Sequence, residues 1–222
     1  MAYQAGGQRP APRPVPDSPE AQAYLQDCGA LMAALPFPSL VVDHRWDVVL
    51  ANTAYQTLFR PVGPHPTAMP GDNFLRFVLF HPDAGAILGD HETSWCLPML
   101  ALFRTALERH AHDPVLQGIR QEIAQDPIME AAFRQGLPHW MRAVGEEAVR
   151  HDGAVRPLLH PDPRRGATEC RLLDETTPML RDMGWTRLTL LLREPRRTTP
   201  PPRGRRRARS TAHLTVVPTP GS

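Results

Sequence analysis

The chain has 222 residues, 41% hydrophobic and 22% charged, with a formal net charge of +2. That length holds one domain with a full core plus unstructured ends, and no apolar run approaches the roughly 20 residues that span a bilayer. The charge is split: seven Arg and no acid lie between residues 196 and 209, so residues 1–195 carry eighteen Arg against twenty-three acids. A mildly acidic folded part argues against a nucleic-acid grip on its own surface and leaves the basic tail as a candidate. Every basic residue is Arg, a bias that points to a GC-rich, bacterial coding sequence. The opening MAYQAGGQRP lacks the apolar core of a signal peptide, so the expected compartment is the cytoplasm. Cys28, Cys96 and Cys170 are far apart, odd in number and without a CxxC, which reads as buried free thiols.

In chain order, residues 1–17 are rich in Pro and Gly and are expected to be disordered. Asp17 or Ser18 caps a helix reaching to about residue 35, with Pro19 in its first turn. Tyr24, Cys28, Leu31 and Leu35 recur at helical spacing, so this helix needs an apolar partner, either the sheet or a second copy in a dimer. Residues 36–195 form the main domain. Ser39 to Val42 reads as a strand, Asp43-His44-Arg45 as a turn and Trp46 to Leu50 as a second strand; Asn52 then caps a helix. Residues 60–73 are a loop, FLRFVLF a short buried helix, and His81-Pro82-Asp83 its end.

The middle is helical. Ser18-Pro19, Asp113-Pro114 and Asp126-Pro127 each place a capping side chain before a residue that presets the first helical turn. Trp95 to Leu107 shares one apolar face, although Pro98 either starts the regular helix near Leu97 or kinks it. Val115, Leu116, Ile119 and Ile123 mark the next helix, Ile128 to Phe133 a shorter one, and Pro138 opens the last. From Gly153 onward the pattern is strands: Pro157–His160, Thr168–Asp174 and Arg187–Arg193, with residues 178–185 a loop or one helical turn. Two early strands and three late ones bracketing helices predict an α+β fold. About five antiparallel strands would carry the helical middle on one face, with a ligand between the layers. Residues 196–222 are expected to be a disordered basic tail.

These elements and their landmarks resemble the ligand-binding domain of MmyB-like transcription regulators, the PAS-like sensor half of bacterial helix-turn-helix proteins. The marks are Asp43, Trp46-Asp47-Val48, Ala51-Asn52, Leu58-Phe59, Asn73, Arg76 and Phe80. Trp95, Leu102-Phe103-Arg104, Asp113-Pro114, Phe133-Arg134 and His160-Pro161 continue the series, which runs from Leu35 to Pro195. The resemblance implies a sensor for a small apolar, fatty-acyl molecule that adjusts DNA binding by a linked domain. Three features depart from the family. Residues 1–35 hold one helix rather than a helix-turn-helix; Leu137-Pro138 stands where a Trp is usual, with Trp140 three residues late; and Pro98 interrupts a helix.

The candidate ligand-binding residues are Trp46, Asn52, Phe59, Trp95, Arg104, Phe133, Trp140 and His160. Most of the aromatics are equally well explained as core, and Asn52 as a cap. Arg104 offers a guanidinium fork to a carboxylate, or pairs with Glu108. No catalytic residue, cofactor or metal is expected: HETSW at residues 91–95 begins like HExxH but lacks the second His. Arg203, Arg205, Arg206 and Arg207 resemble an AT-hook core without its second Pro, which favours weak phosphate attraction over sequence reading. The expected partners are a small apolar ligand, a second copy or helix-turn-helix partner, and no membrane. The alternatives to a sensor are a ligand-free protein-interaction or dimerisation module and, third, a small-molecule enzyme.

Overall fold

The computed structural model describes residues 18–162, 164 and 166–193. The expectations for residues 1–17 and for the basic tail, Arg203, Arg205, Arg206 and Arg207 included, lie outside the described residues. Ser18 caps α1 (Pro19–Ala33) by accepting the Ala21 N–H at 3.2 Å. Pro19 costs no hydrogen bond in the first turn. The hairpin follows as β1 (Ser39–Val42) and β2 (Val48–Ala51). The second strand begins later than its apolar run suggests because Trp46 adopts a left-handed backbone, φ 63°. For a bulky residue that conformation costs about 1–2 kcal/mol. It is held by the Asp43 carboxylate, which accepts the N–H groups of Arg45 at 2.8 Å and Asp47 at 2.9 Å. The Trp46 carbonyl accepts from Phe74 N–H.

Asn52 caps α2 (Thr53–Leu58) and Asn73 caps α3 (Phe74–Phe80). A single turn, α4 (Ala84–Ile87), was not foreseen; it follows the break at His81-Pro82. The long middle helix is two pieces: a π-helical turn, His91–Cys96, and then α5 (Leu97–Arg109). The cause is Pro98, whose ring crowds the carbonyl four residues back and which has no N–H to donate. Widening the helix by one residue accommodates it, and Leu97 N–H bonds back to the Glu92 carbonyl. The device recurs. After α6 (Pro114–Gln125) and α7 (Pro127–Ala131), a π turn at Ala132–Gly136 precedes Leu137-Pro138 and α8 (Leu137–Val144), with Leu137 N–H on the Ala132 carbonyl.

A 3-10 turn (Gly145–Val149) leads to β3 (Val155–Leu159), β4 (Ala167–Asp174), α9 (Pro178–Asp182) and β5 (Thr186–Arg193). Among the described residues the strands form one open antiparallel sheet in the order β2-β1-β5-β4-β3, so the fold is α+β as expected.

Strand alternation divides the packing. Leu40 and Val42 of β1, Leu188 and Leu190 of β5, Cys170 and Leu172 of β4 and Leu158 of β3 face the helical middle, where Trp95, Phe77, Phe103 and Leu116 complete the main core. Val41 points the other way, onto Ala21, Cys28 and Met32 of α1 and Leu180 of α9. The apolar stripe of α1 therefore lies on the sheet's opposite face.

The chain after α4 meets the sheet where Leu88 bridges to Leu158. A Cβ on Gly89 would stand 3.0 Å from Pro157 Cβ and 3.3 Å from its carbonyl carbon. Gly89→Ala is expected to cost about 1–3 kcal/mol through this crowding, read as a lower urea midpoint at unchanged slope. An unchanged midpoint would show that Pro157 moves aside freely.

Candidate functional site

A groove of about 520 Å³ opens between the ends of β1 and β5, the C-terminal half of α5 and residues 149–152. Val42, Trp46, Leu102, Ala106 and Leu188 give it apolar walls, buried or half-buried; Arg109, His110, Arg150, Asp152 and Asp174 are exposed at its border. Concave space lined by apolar side chains with a few polar groups is the usual form of a small-molecule site.

The β1–β2 turn is anchored beside this groove. Asp113 Oδ2 receives Arg45 Nε at 2.7 Å and His44 Nε2 at 3.1 Å, while Oδ1 caps α6 through the N–H groups of Val115 and Leu116. Burial raises the Asp113 pKa, but these four donors together outweigh it and hold the carboxyl well below the usual carboxylate range. The His44 ring also lies 4.6 Å from that of His110. Beyond the turn, Asn73 Nδ2 donates to the Arg45 carbonyl at 2.9 Å and to Asp47 Oδ1 at 2.8 Å. Farther away, bidentate pairs join Arg76 to Glu122 and Arg120 to Glu130, tying α3, α6 and α7 together.

One more wall residue stands out. Both ring nitrogens of His151 are sealed from solvent and have no hydrogen-bond partner among the described residues. Burial first, and the charge of Arg156 second, push its pKa down to about 3, so the ring is neutral at physiological pH.

The residues singled out from the sequence are spread over several depressions. Trp46 lines the groove. Trp140 lines a smaller cavity of about 180 Å³ with Pro98, Ala154 and Arg156. Trp95 is fully buried; its indole N–H donates to the Pro157 carbonyl at 2.9 Å and its ring lies under the Arg156 guanidinium at 5.1 Å. Phe59 borders a hollow between α2 and β2, and His160 a pocket beside Asp83 and Ile87, where its Nδ1 accepts the Asp162 N–H.

Phe133, Arg104 and Asn52 line none of these four spaces. Phe133 packs on Phe103, 6.1 Å between ring centres, under Arg120. Arg104 keeps 43% of its side chain exposed and reaches Glu108 at 3.3 Å. Asn52 is buried in a five-bond junction of α1, β1 and α2.

Sequence reasoning missed His151 and Arg156. The available signal for Arg156 was the alternation Arg156-Pro157-Leu158, which sets the Arg on the same inward face as Leu158.

The other reactive-looking groups are engaged or quiet. His91, from the HETSW stretch, places Nε2 2.7 Å from the Val78 carbonyl. Among the described residues no cluster of three His, Cys, Asp or Glu could hold a metal. Cys28, Cys96 and Cys170 are free thiols. Burial raises all three, Cys96 and Cys170 to about 12, which keeps them from acting as thiolates. No helix among the described residues is long and apolar enough to cross a membrane.

A helix-covered antiparallel sheet with an apolar interior groove has the geometry of a small-molecule-binding domain. The family model for the MmyB-like transcription regulator ligand binding domain matches residues 26–157, and the chain belongs to that family. That family is one of ligand-binding domains of transcription regulators. The matched stretch ends inside β3; β4 and β5, beyond it, complete the sheet. A search of curated proteins finds no match.

Proposed function

We propose that this chain is the sensing module of a bacterial transcription regulator, cytoplasmic, that takes up a small apolar, fatty-acyl molecule and acts through a helix-turn-helix partner. The observation that carries this reading is the groove of about 520 Å³ walled by Val42, Trp46, Leu102 and Leu188 within a chain of this family. The strand order β2-β1-β5-β4-β3, with the helical stretch inserted between β2 and β3, supports the PAS-like description. In the tail, Arg203, Arg205, Arg206 and Arg207 would add a phosphate attraction without sequence preference.

A second reading, a dimerisation module without a ligand, draws on Leu31, which stays 65% exposed on α1 although its neighbours Cys28 and Met32 are buried. Two measurements separate these readings. Native mass spectrometry of the purified protein is expected to show a retained lipid-sized mass, removed on denaturation, and a midpoint that rises when saturated fatty acids are added. A dimer that carries no such mass and gives no thermal shift across an acyl-chain panel would decide for the second reading.

A further inference from the structure

The small cavity beside Trp140 contains a charge that has no counter-ion among the described residues. Arg156 sits on the inward face of β3 at 4% exposure. Its guanidinium lies 5.1 Å from the Trp95 ring, but no hydrogen bond or ion pair to it occurs among the described residues, and Nη1 is sealed from solvent without a partner. Among the described residues Arg76 reaches Glu122, Arg120 reaches Glu130 and Arg187 reaches Glu175, while half-buried Arg171 donates to the Gly153 carbonyl. Burial lowers the Arg156 pKa to about 10, and the one influence opposing it is the Cys170 thiol across the strand pair rather than an acid. An unpaired buried cation is among the most costly features a core can hold. Stacking on an aromatic ring recovers only part of that cost.

The cavity that meets Arg156 has the outline of an answer. It holds about 180 Å³ between the start of α5, α8 and β3, with Trp140, Pro98 and Ala154 as apolar wall. Among the described residues that line it, the carboxylate is Glu147, engaged by Arg150 at 2.8 Å. Arg150 also borders the larger groove.

We propose that Arg156 is the specificity-determining anchor for a monocarboxylate ligand. The carboxylate sits against the guanidinium, and the apolar chain runs along Trp140 and Pro98. This assignment rests on the small-molecule-sensor reading; it places the ligand's head in the cavity of about 180 Å³, which shares Arg150 with the groove of about 520 Å³. Arg104, the carboxylate anchor suggested by sequence, is surface-exposed and already paired with Glu108, so Arg156 takes that role.

The test is calorimetric titration of the full chain with hexanoate, octanoate and decanoate, each against the primary alcohol of the same length. The wild type is expected to prefer the acids by about tenfold or more, the difference made by charge-assisted hydrogen bonds. Arg156→Met keeps the stem's volume and removes the charge; it should lose that preference while still binding the alcohols. Its melting temperature should be equal or higher, because an unpaired buried charge has been removed. Arg156→Lys should fall between the two.

Equal binding of acids and alcohols by the wild type would overturn the anchor and leave the apolar-ligand reading standing. So would an acid preference that survives in Arg156→Met. If Arg156→Met melts lower with its acid preference intact, the Trp95 stack is structural and the proposal fails. Binding of neither series overturns the anchor together with the reading beneath it.

Discussion

Asn52→Ala is expected to destabilise the domain by about 3 kcal/mol, more than a helix cap alone accounts for. The Asn52 Oδ1 accepts the N–H of Tyr55 at 2.9 Å, which is the cap, and also the N–H of Ser39 at 3.0 Å. Its Nδ2 donates to the carbonyls of Met32 at 3.0 Å and Phe37 at 2.9 Å, with Leu35 at 3.4 Å. One side chain thus joins the end of α1, the start of β1 and the start of α2, at 7% exposure. Losing the cap costs about 1 kcal/mol. Each buried polar group left without a partner adds about 1–3 kcal/mol, less whatever entering water recovers.

For a domain of this size the change corresponds to a drop of about 6–12 °C in melting temperature. Asn52→Asp is the informative companion. It keeps both acceptor bonds but turns a carboxylate toward the Met32 and Phe37 carbonyls, so it should not restore stability at neutral pH. A loss below about 1 kcal/mol in Asn52→Ala would reduce the residue to an ordinary cap.

This junction also shows what was legible in the sequence. The cap at Asn52, the Ser-Pro and Asp-Pro helix starts and the alternation of β5 are local signals. They rest on a few neighbouring residues each, and the structure places them where the sequence does. The same kind of signal stands at Thr177-Pro178, where the Thr177 hydroxyl accepts the Leu180 N–H and a five-residue helix fills the first part of the span that the sequence reads as a loop or one helical turn. The π turns before Leu97-Pro98 and Leu137-Pro138 were half visible. Proline announces a disturbance, but whether the helix breaks, kinks or widens depends on the packing around it.

Sequence gives the residue types that favour a pocket, not the pocket. Trp46 borders the groove and Trp140 the smaller cavity, whereas Phe133, read the same way, packs on Phe103 beneath Arg120. All three are aromatics at helical or strand-end positions, and their surroundings are set by contacts distant in the chain. Arg156 and His151 escaped because nothing local marks a polar side chain as unpartnered. That property belongs to the assembled core and is defined by which carboxylates fail to arrive.

The second large effect expected is on acid stability, through His151. Its ring nitrogens are sealed, and burial, reinforced by the charge of Arg156, lowers its pKa from the ordinary 6.5 to about 3. The charged or titratable groups that share its groove are Asp43 and His44 from the hairpin turn, Arg109 and His110 from the end of α5, and Arg150, Asp152 and Asp174. Between pH 6.5 and about 3 the unfolded chain binds a proton that the folded ring refuses. Stability therefore falls as pH drops through that window, by up to about 1.4 kcal/mol per pH unit. Above pH 6.5 both states are neutral and the contribution vanishes.

Asp113 acts on part of the same acid range, since its depressed carboxyl contributes stability above its unfolded pKa that is lost as pH falls through the folded one. A single acid titration therefore cannot apportion the slope. Comparison with His151→Gln can. The Gln carries no charge at any pH, so the variant keeps the Asp113 component and loses the His151 component. Chemical denaturation at pH 7 and pH 4.5 should show the wild type losing about 2 kcal/mol more than His151→Gln over that interval. Equal losses in the two proteins would mean that the folded ring takes up its proton at the ordinary pH and that water reaches its nitrogens.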